Sequence, residues 1–180
     1  DLWTTDVHHE LAREAAAKGA VLLKNEAIAG GAPLLPLAEG TKVALIGDFA
    51  QTPRYQGAGS SAVNSTKVDS LLDMVGETDL TLVGYEPGFE RHGGQNVSKR
   101  DAALELARHA DVVLLALALD EIAESEGADR LNMKLNENQV ELAHAVAQVN
   151  PTWSCFSPPA PAWRPTGPAT PAPILYCALG

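Results

Sequence analysis

The chain has 180 residues, 46% hydrophobic and 20% charged, which is the composition of a globular protein with a core of its own. Its net charge of −10 argues against a nucleic-acid or anionic-membrane partner, because phosphate groups are bound mainly by Lys and Arg. No apolar run approaches the roughly 18 residues of a membrane span. The opening DLWTTDVHHE has neither the basic region nor the apolar region of a signal peptide.

Hydrophobic periodicity predicts helices that alternate with short apolar strands. The predicted helices cover residues 8–18, 65–75, 98–109 and 136–149. The predicted strands cover residues 42–47, 80–85 and 111–119. Ser98 and Asn136 are the expected N-caps of the last two helices. Strands that are almost wholly apolar are covered on both faces, so we predict an α/β fold. It is a mostly parallel sheet with helices on both faces, an α/β sandwich that is incomplete at the C-terminus.

The C-terminal part of the chain breaks this pattern. Eight prolines lie between residues 151 and 173, and proline supports neither helix interiors nor central strands. The predicted divisions are a helical linker and entry (1–40), the sandwich core (41–151), an aberrant proline-rich segment (152–173) and the start of a further strand (174–180).

Two polar loops follow strands of the predicted sheet. DFAQTPRYQGAGSS comes after KVALIG, and DEIAESEGADR comes after VVLLALAL. Because open α/β sheets bind ligands at the carboxyl ends of their strands, we expect the two loops to converge on one site.

The first loop contains Gly57 and Gly59 in a formal G-x-G-x-x-A pattern. The glycines come about ten residues after the strand, so a dinucleotide-binding fingerprint is disfavoured. A glycine-bearing loop that approaches another group closely is the simpler interpretation. Arg54 and Tyr55 could bind a sugar ring by hydrogen bonding and stacking, and a surface role is equally compatible with the sequence.

The second loop has three interpretations. It could be a solvated acidic loop in which Asp129 and Arg130 make local ion pairs. It could bind calcium or magnesium, although the D-x-D-x-D-G spacing is lacking and Arg130 offsets the charge. It could carry a catalytic acid, since a glutamate near other carboxylates has a raised pKa. The histidines and cysteines show no ligand spacing, so neither a metal nor a cofactor is predicted.

Several segments together resemble the second domain of family 3 glycoside hydrolases, the β-glucosidase-type enzymes. The resemblance covers residues 7–151 and rests on LAREAAAKGAVLLKNE, KVALIGDFA, PRYQGAGSS, ADVVLLALALDEIAESEGADR and NENQVELAHAVAQVNP, in this order. It implies that the chain begins inside a larger protein, in which a (β/α)8-type barrel precedes the sandwich domain. It also implies a retaining enzyme for a β-linked glucoside or oligosaccharide, with an aspartate nucleophile on the barrel and the acid/base glutamate on the sandwich.

The family's E-x-E-G-x-D-R segment matches residues 124–130. The resemblance implies Glu126 as the acid/base, with Glu124 as the second choice, and it implies that Asp129 and Arg130 orient the loop. The PRYQGAGSS loop would help to form the wall of the sugar site. The substrate-binding residues that the resemblance implies are Arg54, Tyr55, Gly57, Ser60, Asp129 and Arg130.

The resemblance also bears on the activity of the chain. Without the barrel and its nucleophile, the 180-residue chain should not hydrolyse glycosides. The alternative function is a non-catalytic carbohydrate-binding or interaction module of the same fold. The preferred sugar stays open, and so does the choice between a cytoplasmic and a secreted location.

The family has a Val-rich strand where this chain has residues 152–172. Two compensating frame errors in the gene or its sequencing would account for the difference in sequence. If the protein is made as written, we predict that this central strand is lost.

Overall fold

The computed structural model describes residues 2–27, 31–132, 134–157 and 174–176. Its helices are α1 (Leu2–Gly19), α2 (Leu71–Val75), α3 (Val97–Arg108) and α4 (Glu137–Val149). Its strands are β1 (Val21–Lys24), β2 (Lys42–Ile46), β3 (Thr81–Glu86), β4 (Val112–Ala116), β5 (Trp153–Ser157) and β6 (Ile174–Tyr176). No helix in these ranges is long and apolar enough to cross a membrane.

The six strands form one sheet in the order β1-β6-β5-β4-β2-β3. Every neighbouring pair is parallel except β1 with β6. The predicted α/β fold with a mostly parallel sheet is therefore confirmed. The apolar run at residues 21–24, which has no predicted state, forms the antiparallel edge strand.

The core is centred on β2 and β4. All of β4 is buried, and so is β2 from Val43 onward, as uniformly apolar strands require. Helix α3 packs on β2, β3 and α4. Strand β3 differs from the prediction, because it lies at the sheet edge and its first three residues are exposed.

Two helix starts differ from their predictions for reasons of capping. Helix α2 begins only at Leu71, because the Ser70 hydroxyl accepts a hydrogen bond from the Asp73 N–H and starts the helix there. Helix α3 is capped by Asn96 rather than Ser98, since the Asn96 side chain accepts from the Lys99 N–H at 3.1 Å. Capping thus depends on which side chain reaches a free N–H, and several candidates precede each helix.

The prediction that the central strand is lost is wrong. Residues Trp153–Ser157 form β5, between β4 and β6, and Trp153 and Cys155 are fully buried. The Val113 N–H donates to the Thr152 carbonyl at 3.0 Å and begins the pairing. Residues 153–157 contain no proline and are rich in strand-forming side chains, which explains the strand. The prolines of residues 158–173 lie outside the described residues.

Candidate active site

The two polar loops meet at the point where the strand order of the sheet reverses. The chain leaves β2 for β3 on one side and returns through β4 on the other side, so the carboxyl ends of β2 and β4 flank a switch point. We call residues 48–61 the glycine loop and residues 120–130 the acidic loop. An isolated parallel bridge joins Ala58 to Ser125, and the Glu126 N–H donates to the Ala58 carbonyl at 3.0 Å. The predicted convergence of the loops is confirmed.

Glu126 is exposed on the acidic loop and is held by Ser60 of the glycine loop. Its Oε2 accepts a hydrogen bond from the Ser60 N–H at 2.8 Å and a second, short one from the Ser60 hydroxyl. The hydroxyl bond and then the N–H bond lower the pKa of Glu126. The raised pKa expected from neighbouring carboxylates is not found, because neutral donors rather than carboxylates surround the group.

Gly59 makes this contact possible. Its φ of +117° is a backbone conformation that residues with a Cβ rarely adopt. A Cβ at this position would lie 2.5 Å from the Glu126 Cβ and 2.9 Å from its Oε2. The glycine loop therefore approaches another group closely, as the sequence suggested, and that group is the Glu126 side chain.

Glu124 lies between two arginines. It accepts a short hydrogen bond from Arg54, and its Oε1 is 3.3 Å from Nη2 of Arg130. The Arg54 side chain is only 3% exposed, so it has little surface to offer a sugar. Arg54 also donates to the Leu119 carbonyl at 3.4 Å. Both arginines thus act as anchors of the acidic loop through Glu124.

The other predicted site residues lie around this centre without converging on it. Asp129 is exposed and makes no hydrogen bond or ion pair with any described residue. Gly57 is exposed as well. Tyr55 is half-buried, and its hydroxyl is 3.3 Å from the Gln56 amide nitrogen. Among these, Tyr55 alone offers a ring at the rim of the site.

The start of the acidic loop is fixed by buried polar groups that sequence reasoning missed. Oδ1 of Asp120, a nearly buried residue, accepts from the N–H groups of Ile122 and Ala123 at 2.9 and 2.7 Å. Asn136 occupies the predicted N-cap position of α4, but its side chain makes no capping bond and points to Asp120 Oδ2 at 3.3 Å. The fully buried Gln139 side chain bonds both backbone groups of Ala118. A glutamine on the apolar face of a helix was the available signal.

Arg91, in the loop after β3, is the second group that sequence reasoning missed. Its Nε lies 3.1 Å from each carboxylate oxygen of Glu121, and its Nη1 is 2.5 Å from Asp48 Oδ2. The hydrogen bonds from Arg91 to Glu121 lower the pKa of Glu121 to about 2. The only sequence signal was a lone arginine shortly after a strand. No group of three or more His, Cys, Asp or Glu side chains that could hold a metal occurs in the described ranges.

The fold and the paired loops define an α/β sandwich domain with an acidic loop at its switch point. Comparison with known proteins gives the family. The sequence profile of the Glycosyl hydrolase family 3 C-terminal domain matches residues 20–155, and the chain belongs to this family.

Relatives in this family are glycoside hydrolases of several kinds. The chain is 40% identical over 150 residues to an exo-alpha-(1->6)-L-arabinopyranosidase of Bifidobacterium breve, covering 81% of this chain and 20% of the relative. It is 40% identical over 148 residues to the thermostable beta-glucosidase B of Acetivibrio thermocellus, covering 80% and 19%. The chain therefore spans about a fifth of the length of these relatives.

Solved structures agree with this assignment. The GH3 beta-glucosidase of Bifidobacterium adolescentis superposes with a TM-score of 0.84 at 36% identity, over 97% of this chain and 25% of that one. A beta-glucosidase of Listeria innocua in complex with glucose has a TM-score of 0.75 at 22% identity, over 93% and 22%, and supports the fold.

Proposed function

We propose that this domain supplies the general acid/base of a retaining β-glycosidase of the β-glucosidase type, and that Glu126 is the residue. The nucleophile would be an aspartate on a preceding barrel domain. The observation that carries the proposal is the position of Glu126: it is an exposed carboxylate at the switch point, on a loop that is fixed on both sides. Membership of a glycoside hydrolase family supports the same role.

The contacts favour Glu126 over Glu124. A general acid must reach the substrate and exchange a proton with it. The Glu124 side chain is tied to Arg54 and Arg130 and is only 25% exposed, so its carboxyl group serves to hold the loop. Among the described residues, the Glu126 carboxylate accepts only from Ser60, whose hydroxyl can donate to a carboxylate or accept from a carboxylic acid. Glu126 can therefore change its protonation state and keep this partner.

The proposed reaction has two steps. In the first, the Glu126 carboxylic acid gives its proton to the glycosidic oxygen while the aspartate attacks the anomeric carbon and the leaving alcohol departs. In the second, the Glu126 carboxylate takes a proton from water, whose oxygen displaces the aspartate and releases the sugar.

The lowered pKa of Glu126 in the isolated domain is compatible with its proposed roles as acid in the first step and base in the second. Retention requires the two carboxyl groups to be about 5–5.5 Å apart, so a docked barrel would place an anionic aspartate near Glu126. A like charge at that distance disfavours a second carboxylate and raises the pKa of Glu126. The acid would then form only where both domains meet.

A chimera provides the test. Residues 20–155 of this chain replace the matching segment of the Bifidobacterium adolescentis GH3 beta-glucosidase, and kcat/KM is measured on two aryl β-glucosides. Glu126→Gln should lower kcat/KM by about 10²–10⁴-fold for 4-nitrophenyl glucoside. The loss should be much smaller for 2,4-dinitrophenyl glucoside, because that leaving group departs without a proton. The 180-residue chain alone should release no nitrophenol.

Glu124→Gln is the matched control, and it should lower activity on both substrates by the same factor. Equal losses on both substrates in Glu126→Gln would contradict the proposal. A chimera that binds glucoside without cleaving it would favour a carbohydrate-binding module instead. Aryl xylosides and arabinosides in the same assay establish which sugar is preferred.

A further inference from the structure

Arg91 joins three loops at the carboxyl edge of the sheet, those that follow β2, β3 and β4. It lies in the loop after β3, donates to Glu121 of the acidic loop, and donates to Asp48 and to the Thr52 carbonyl (3.0 Å) of the glycine loop. Its guanidinium carbon is 4.3 Å from the centre of the Phe49 ring, on which it stacks. In the described residues no other side chain bonds to both the glycine and acidic loops from a third loop.

The arrangement suits arginine and no other side chain. The Arg91 side chain is 15% exposed, so its charge has lost most of its water and needs compensation from the protein. Two carboxylates and an aromatic face supply this compensation, because the planar guanidinium can donate to Glu121 and Asp48 at once while it stacks on the ring. A lysine would keep the charge and lose this planar donor group.

This clamp bears on Glu126 through the backbone. Glu121 lies near the start of the acidic loop, five residues before Glu126, and Asp48 and Thr52 lie on the same loop as Ser60. Arg91 therefore fixes the distance between the loop that carries Glu126 and the loop that carries its partner Ser60. The Arg54–Glu124 pair ties the same two loops a few residues further on.

We propose that Arg91 is a positioning residue, which holds the acidic loop against the glycine loop so that Glu126 meets Ser60. The catalytic consequence of this proposal rests on the proposed function of Glu126. The clamp itself can be observed in the 180-residue chain without a substrate.

The first test is a carbon-13 NMR titration of the glutamate carboxyl groups in that chain. In Arg91→Met the pKa of Glu126 should rise toward the ordinary glutamate value and the Ser60 amide signal should shift, because the two groups separate. With uniformly carbon-13-labelled protein, the carboxyl groups of Asp48, Asp120, Glu121, Glu124 and Asp129 on the two loops are followed in the same titration. Arg54 and Arg130, the cations on the two loops, are kept unchanged in these variants.

Arg108→Met is the matched control, since Arg108 makes an exposed pair with Glu105 on α3. It should leave Glu126 and Ser60 unchanged. Arg91→Lys should restore part of the wild-type titration. If Arg91→Met does not fold, Glu121→Gln loosens the same clamp and should shift Glu126 and Ser60 in the same direction. Unchanged Glu126 and Ser60 signals in a folded variant would overturn the inference.

The chimera supplies the catalytic test. Arg91→Met should lower kcat/KM for 4-nitrophenyl glucoside by about 10–100-fold, the effect of a small misplacement of the acid, and lower it much less for the dinitrophenyl glucoside. A merely structural defect would lower both equally. If the loss of kcat/KM depends on the leaving group in Glu126→Gln but not in Arg91→Met, the role of Arg91 is refuted. If the loss does not depend on the leaving group in Glu126→Gln either, the proposed function is refuted instead.

Discussion

Gly59→Ala should push the Glu126 carboxyl group away from Ser60 and destabilise the domain. The new methyl group would lie 2.5 Å from the Glu126 Cβ, well inside van der Waals contact. The φ of +117° adds backbone strain of about 1–3 kcal/mol for a residue with a Cβ. In a chain of this size that strain lowers Tm by roughly 2–12 °C.

Gly57→Ala is the control for this prediction. Its Cβ would meet nothing closer than the Ser61 Oγ at 3.7 Å, and its stability should change by no more than about 0.5 kcal/mol. The assay is thermal unfolding of both variants, together with the NMR titration of Glu126. Equal Tm values and an unaltered Glu126 titration in Gly59→Ala would refute the reasoning.

Three further outcomes are expected from thermal or urea unfolding of single variants. Arg54→Met should lower the free energy of unfolding by roughly 2–3 kcal/mol. This is less than the roughly 3–5 kcal/mol for breaking a fully buried ion pair, because the Glu124 partner is 25% exposed. Arg130→Met should lower it by about 1 kcal/mol or less. Glu121 has a folded-state pKa of about 2 against 4.5, so it stabilises the fold above pH 4.5 and this contribution is lost as the pH falls toward 2; Glu121→Gln should remove that part of the acid sensitivity. Gln139→Leu should cost about 2–4 kcal/mol by stranding two buried backbone groups, and the exposed Gln148→Leu on the same helix should cost almost nothing.

The sequence was most informative where one physical effect dominates. Strands β2 and β4 are uniformly apolar because they are buried, and the two loops that follow them converge because parallel strands end at one edge. The edge position of β3 was missed, although Thr81 and Gly84 make this strand less apolar than the central strand β4. The strand β5 was missed because the prolines nearby dominated the interpretation of five residues that contain none.

The contacts of the site could be predicted less well than its location. The loop sequence places carboxylates at the switch point, but it does not say which of them meets a cation. That depends on partners 70 residues away for Glu124 and 30 residues away for Glu121. Such pairings are set by the packing of three loops, and no local pattern encodes them.

Three of the five carboxylates of the acidic loop are held by arginines or by backbone N–H groups. Glu121 and Glu124 are each held by arginine, and the carboxyl group of Asp120 is used by backbone N–H groups. These bonds hold the start and the middle of the acidic loop in place. Glu126 is bound by a serine instead, and a hydroxyl can reverse its donor direction when the carboxyl group gains a proton. If Glu126 is the proposed acid/base, the bonds made by the other acidic side chains give its loop the rigidity that such a group needs to meet a substrate.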